Sequence, residues 1–202
     1  PASGDMPDTG LMEKEYMDCA ADCGIIVPET KLMPSKRCSG YFAVRRFDRD
    51  GSARRHMLTA AAILEADWRT ASMDYHTLMK LTRILSRSNA ADTEQMFRRM
   101  CFNVFAHNRD DHAKNFTWIY DDVQDCWHPS PAYDLTWSTT YFGEHTTTVN
   151  GNGKNPGEKD LLAVGKTAGI KTNVCKLLIE EIHNKTTGFA TQQRALPYFP
   201  VH

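Results

Sequence analysis

Apolar positions recur at helical spacing over the longer stretches of this chain and at strand spacing over shorter ones. Leu11, Tyr16, Cys19, Ala20 and Cys23 share one face of a helix over residues 11–23, and Gly24 is a natural stop. Ile25 to Pro28 then leaves as an extended segment. Thr30–Met33 and Tyr41–Phe47 read as strands separated by a Pro/Ser/Gly turn, and Asp50-Gly51 marks another turn. Beyond this the pattern is mostly helical. His56–Glu65 is rich in Ala and Leu, and Asp74–Ser86 opens on an acid and repeats Leu78, Leu81, Ile84 and Leu85 on one face. The helix Asp92–Ala106, capped by an Asp, aligns Met96, Phe97, Met100, Val104 and Phe105. Phe116–Tyr120 reads as a short strand, Asp121-Asp122 as a turn, Cys126-Trp127 as the start of a returning strand and His145–Val149 as one more. Asn155-Pro156, a cap with Pro at the first helical position, predicts a helix to Ala168 that Gly169 ends. Thr172–Lys185 is the last predicted helix. The tail with Pro197 and Pro200 is expected to be irregular, and the turn-rich residues 1–10 to be disordered.

Composition narrows the class without defining a function. The 202 residues suffice for one domain or one lobe of a larger one, and 41% apolar with 24% charged residues is ordinary for a soluble globular protein. A net charge of −1 gives no reason to expect direct nucleic-acid or membrane binding. No apolar run approaches the roughly 18 residues of a membrane span. No signal peptide is visible, although the chain starts at Pro1 rather than Met. The six cysteines are scattered, with no C-x-x-C pair. Cys19 and Cys23 stand at i,i+4 without a matching Cys/His pair downstream, so reduced thiols in a cytoplasmic protein are expected.

The chemistry concentrates in His107-Asn108-Arg109-Asp110-Asp111-His112-Ala113-Lys114-Asn115-Phe116 and in Pro131-Ala132-Tyr133-Asp134. Phosphoryl transfer from a nucleotide needs a carboxylate beside the incoming hydroxyl and oxygen ligands for Mg²⁺. A D-x-x-x-x-N segment, followed by a strand, a turn and a second Asp, supplies those parts, and protein kinases space their catalytic-loop Asp and Asn in this way. Taken singly, an Asn or Asp here is as well explained as a turn former.

The run DDHAKNF followed by PAYDL resembles the catalytic core of the HipA-family serine/threonine kinases, the toxins of bacterial toxin–antitoxin pairs. Three further pieces fit in order. Glu15-Tyr16 resembles the helix after the ATP-lysine strand, Val44 to Arg49 the hinge strand, and Asn150 to Ile170 a later segment, so the likeness covers about residues 11–180. It implies an α+β, mainly α fold: a protein-kinase-like C-lobe with a remnant of the N-lobe sheet. On this reading residues 11–49 are the N-lobe remnant and hinge, and residues 50–202 the helical lobe with the catalytic loop. It further implies ATP and Mg²⁺ as cofactors, Asp110 as the group that orients and deprotonates the substrate hydroxyl, and Asn115 and Asp134 as metal ligands. Arg45, Phe47, His112, Lys114 and Tyr133 would line the nucleotide site, with Lys114 beside the phosphates, and Glu15 could pair with the ATP lysine. Asp111 is either a solvated or hydrogen-bonding acid or a chemical one. His112 either braces the loop through both ring nitrogens or contacts nucleotide. The implied partners are a protein substrate, aminoacyl-tRNA synthetases being among family targets, and a HipB-like DNA-binding antitoxin.

The chain departs from the family pattern in three places. Arg45 stands where the family commonly has Glu, which leaves a backbone contact to adenine intact but not a side-chain one. D-F-G is absent, its place taken by Tyr133-Asp134-Leu135 as the family writes it. No G-x-G-x-x-G or P-loop occurs, and Gly151-Asn152-Gly153-Lys154 lacks the following Ser or Thr. The expectation is therefore the second half of a longer kinase, inactive by itself for want of the phosphate loop and its lysine. Two rivals remain: a non-catalytic pseudokinase or antitoxin-binding lobe, and a metal-dependent phosphohydrolase built on His107, Asp111, His112 and Asp134.

Overall fold

The computed structural model describes residues 8–65, 73–138, 140 and 143–194. The disorder expected for residues 1–7 and the irregular tail from 195 lie outside these.

Helix α1 (Thr9–Asp22) starts before Leu11, so Thr9 and Gly10 are helical rather than disordered. It buries Met12, Tyr16, Met17, Cys19 and Ala20. It ends as the Gly predicts: Gly24 has φ +73, its N–H donates to the Ala21 carbonyl, and that of Ile25 donates to Ala20. Strands β1 (Thr30–Met33) and β2 (Tyr41–Val44) form an antiparallel hairpin against α1. Strand β2 stops at Val44, short of the predicted Phe47, because Arg46 folds back to grip Asp48 through Nε and Nη2 at 2.8 and 2.6 Å. A small hairpin, β3 (Arg49–Asp50) with β4 (Ala53–Arg54), brackets the Asp50-Gly51 turn.

The helix expected from His56 is mostly absent. Met57–Thr59 is instead strand β5, paired antiparallel with β7 (Thr117–Asp121), and only Ala60–Ile63 is helical (α2). Thr59 caps that turn by accepting from the Ala62 N–H at 3.1 Å, while Ala60 N donates to the Phe116 carbonyl. Non-local ladder bonds outweigh the helix preference of Ala and Leu. Strand β8 (Cys126–Pro129) returns beside β7, giving the sheet order β5-β7-β8.

The remaining mass is helical. Short β6 (Met73–Asp74) runs into α3 (Tyr75–Leu85), with Asp74 accepting from the His76 N–H at 2.8 Å as the N-cap. Helix α4 (Ala90–Phe105) is capped by Asn89, not Asp92. Asp92 sits in the first turn, where a negative charge also suits the helix dipole. Strand β9 (Thr147–Thr148) pairs in parallel with β6 and is shorter than His145–Val149. Helix α5 (Glu158–Thr167) is capped at Gly157 rather than Asn155, since Asn152 Oδ1 holds the N–H groups of Lys154 and Asn155 in a closed loop. Helix α6 (Thr172–Arg194) outruns its predicted end at Lys185, and Phe189 beyond that point packs edge-on against Tyr16 at 4.8 Å. The core is the meeting of α3, α4, α5 and α6 with the floor of the sheet, around Trp118, Phe97, Phe102, Leu78, Leu161 and Ile182. The fold is thus α+β and mainly helical, as the sequence implies.

Candidate active site

Helix α4 delivers the chain into the loop His107–His112. The turn is sharp, with His107 at φ +55, and the Asn108 N–H returns to the Asn103 carbonyl. The next residues divide by exposure. Asp110 is exposed; Asp111 is buried.

Asp111 is the hub of a buried polar network. Its Oδ2 accepts from Tyr75 Oη at 2.9 Å and from His145 Nδ1 at 3.0 Å, and its Oδ1 accepts from the Thr147 N–H at 3.0 Å. The Thr147 hydroxyl donates to the Asp111 carbonyl. Asn103 Nδ2 donates to Tyr75 Oη at 2.8 Å, and Asn108 Nδ2 to Asn103 Oδ1 at 3.0 Å. Burial, then the Asp111 charge beside it, pushes the Tyr75 phenol well up, so it remains a donor. The result fixes the backbone of the His107–His112 loop from three sides: helix α3, helix α4 and strand β9. This settles Asp111 as a hydrogen-bonding acid rather than a solvated one. The His/Asp metal arrangement fails here, because both Asp111 oxygens are already engaged, and the described residues contain no group of three or more His, Cys, Asp or Glu suited to a metal.

The second half of the loop turns through a one-turn 3-10 helix, Ala113–Asn115. Asn115 Nδ2 donates to the Asp110 carbonyl at 3.0 Å. Lys114 is exposed. His112 does not brace the loop through both nitrogens, since its Nδ1 is buried without a hydrogen-bond partner among the described residues. His145 performs that bracing instead.

Tyr133 joins the two motifs. Its hydroxyl donates to the Lys114 carbonyl at 2.6 Å and lies 2.6 Å from Thr117 Oγ1, so the Thr hydroxyl is the donor there. Desolvation raises the Tyr133 phenol above its ordinary value. Asp134 follows in the left-handed region at φ +56, a conformation Asp tolerates better than most side chains, and is exposed. Behind this segment Arg99, buried in α4, donates from Nη2 to the Ser130 carbonyl, and burial pushes its guanidinium down to about 10.

Asp134 borders a cavity of about 450 Å³ between the hairpin and the helical mass. Its walls are Met17, Phe42, Val44, Met57 and Leu135, its edge is Arg45–Asp48, and Tyr133 closes it, with the Phe47 and Tyr133 rings 5.4 Å apart. Such a volume, apolar on its faces and backbone-lined at one edge, suits a flat heteroaromatic ring. Arg45 and Phe47 both line the cavity, and Arg45 Nη1 pairs with Glu29 at 3.2 Å. The carboxylate of α1 that lines it is Glu13, one turn before Met17, and not Glu15. Asn115 and Asp134 offer an amide oxygen and a carboxylate, both hard-oxygen donor types of the kind Mg²⁺ takes together with phosphate oxygens.

Sheet, helical mass and cleft together define a protein-kinase-like fold. It is shared with HipA of Shewanella oneidensis, solved in complex with HipB and its operator DNA, at TM-score 0.73 and 19% identity over 95% of this chain and 50% of that one. The proinflammatory kinase CtkA of Helicobacter pylori matches at TM-score 0.53 and 13% identity, over 92% of this chain and 78% of that one. The model of the HipA-like C-terminal domain matches residues 1–188, and the chain belongs to that family. Among curated proteins, Putative kinase Y4dM of Sinorhizobium fredii is 29% identical over 160 residues, 70% of this chain. The chain spans 38% of the length of that relative. No helix among the described residues is long and apolar enough to cross a membrane.

Proposed function

We propose that this chain carries the catalytic loop and metal-ligand carboxylate of an ATP-dependent serine/threonine protein kinase of the HipA type, and that the intact protein moves the γ-phosphate of ATP to a hydroxyl of a cellular protein. The observation that carries the reading is the Tyr133 hydroxyl. It ties the D-x-x-x-x-N loop to the Tyr-Asp segment through the Lys114 carbonyl, at the mouth of the cavity edged by the hinge.

Each residue then has a task. The apolar walls hold adenine and exclude water, and the backbone of Arg45–Phe47 offers the polar edge. Asp110, exposed while its neighbour is locked below it, orients the incoming Ser or Thr hydroxyl and accepts its proton. Lys114 offsets charge on the transferring group. Asn115 and Asp134 hold Mg²⁺, which when bound neutralises charge on the phosphate oxygens. Residues 11–49 serve as the N-lobe remnant and hinge, and residues 50–202 as the catalytic lobe. An aminoacyl-tRNA synthetase as target and a HipB-like antitoxin as partner follow from kinship alone.

Labelling with γ-labelled ATP tests the assignment. In the intact protein Asp110→Asn keeps the shape of the side chain but cannot accept the proton, and phosphorylation of target and enzyme falls by about 10²–10⁴-fold with the fold unchanged. Undiminished labelling by that variant moves the catalytic base elsewhere.

A further inference from the structure

Away from the residues that line the cavity, three side chains form a relay that the kinase reading does not use. Cys126 and His128 stand two residues apart on β8 and so share a face. Cys126 Sγ lies 3.4 Å from His128 Nε2, and His128 Nδ1 lies 2.6 Å from Asp92 Oδ2 in the first turn of α4. Because a carboxylate only accepts, the Nδ1–Asp92 contact puts the ring proton on Nδ1. Nε2 is then a lone pair facing the thiol. This is the nucleophile–base–orienter order by which an activated thiol is recognised. The three groups lie in a line rather than around a point, so they do not form a chelate.

We propose that Cys126 is a peroxide-reactive thiol, with His128 as its base and Asp92 as the group that orients the base. His128 takes the thiol proton through Nε2. The sulfur attacks one peroxide oxygen, an S–O bond forms as the O–O bond breaks, and the leaving hydroxide collects the proton from His128 as water. Hydrogen peroxide is reduced and Cys126 is oxidised to the sulfenic acid, with atoms and electrons balanced. Size selects the oxidant. Cys126 is 7% exposed, which favours a water-sized peroxide over a bulky disulfide.

Cys38 is the internal control, because it is more exposed than Cys126 and its thiol donates to the Gly40 carbonyl, at 3.5 Å, with no His hydrogen-bonded to it among the described residues. The native protein is treated with hydrogen peroxide at neutral pH, trapped with dimedone and mapped by peptide mass. The expected result is faster sulfenate formation at Cys126 than at Cys38. A free thiol with an ordinary pKa near 8.5 is only about 3% thiolate at pH 7, so the gain from a base has a ceiling of about thirtyfold. His128→Gln and Asp92→Asn should each slow Cys126 by about ten- to thirtyfold within that ceiling and leave Cys38 unchanged, with circular dichroism checking the fold. N-ethylmaleimide, a bulkier reagent, should reverse the order of the two cysteines. A Cys126 slower than Cys38 toward peroxide, or equally fast in both variants, overturns the proposal. The test needs no kinase activity, so it stands or falls apart from the function proposed above.

Discussion

At the scale of residues, the two adjacent acids of the loop do opposite things, and burial separates them. Asp110 faces water and is available for chemistry; Asp111 is enclosed and holds up the loop. Asp111→Asn keeps the volume but puts an NH₂ where the carboxylate accepted bonds from Tyr75, His145 and the Thr147 N–H. At least one buried donor is then left facing another donor, at a cost of about 1–3 kcal/mol. The expected outcome is a lower midpoint in urea with an unchanged m-value, measured by tryptophan fluorescence. A midpoint within error of wild type would show that the network contributes nothing to stability. Spacing marks Asp110, Asn115 and Asp134 as the candidates in the sequence. That Asp111 is buried and fully bonded was not legible, because its partners lie 34 and 36 residues away. His145, Tyr75 and Asn103 went unremarked for the same reason: nothing local distinguishes a buried bracing side chain. Glu13 was legible in principle as a residue beside the cavity, since it lies four residues from Met17 on the same helical face.

Elements were most legible where periodicity was long and caps were local. Helices α1, α3 and α4 and the β1–β2 hairpin sit within a few residues of expectation. The failures are places where distant backbone decides. Met57–Thr59 became a strand because β7 offers it a ladder, and β6 exists only because β9 returns beside it. One contact between elements gives a direct test. A Cβ on Gly165 of α5 would come within 2.5 Å of Cys175 Sγ and 2.7 Å of the Phe97 ring, both in the core. Gly165→Ala gains up to about 1 kcal/mol of helix propensity but overpacks the junction of α4, α5 and α6 by about 1–3 kcal/mol. The melting temperature should fall by a few degrees, at about 2–4 °C per kcal/mol for a protein of this size. A rise on calorimetry would mean that the three helices can part at little cost.

For the whole molecule, the cavity at the hinge and the absence of any phosphate-cradling glycine motif in the 202 residues pull in different directions. The walls can take an adenine ring; the sequence holds no G-x-G-x-x-G or P-loop to grip the phosphates. Isothermal titration of this chain with Mg-ATP should therefore give binding weaker than micromolar, with adenosine binding almost as well as ATP. A large preference for ATP would mean that Lys114, Asn115 and Asp134 suffice to hold the triphosphate.

Helix α1 bears on which parts of such a molecule are free to move. In protein kinases the helix beside the ATP lysine is a point of control, shifting against the rest of the enzyme. Here that freedom is largely gone. Tyr16 Oη donates to the Ala106 carbonyl at 3.0 Å, one residue before the catalytic loop, Arg98 of α4 reaches the Cys23 carbonyl at 2.9 Å, and Lys185 of α6 reaches that of Asp22 at 2.6 Å. Swinging α1 outward would break all three bonds and uncover Tyr16, Ala20 and Cys23 together. The helix is therefore tied to the same helical mass that carries the His107–His112 loop. The β1–β2 hairpin meets α1 where a Cβ on Gly10 would come within 2.7 Å of the Gly40 carbonyl oxygen, and its strands leave several residues exposed. Hydrogen exchange reads this directly: amides of α1 should exchange in step with those of α4, and amides of the hairpin earlier than either.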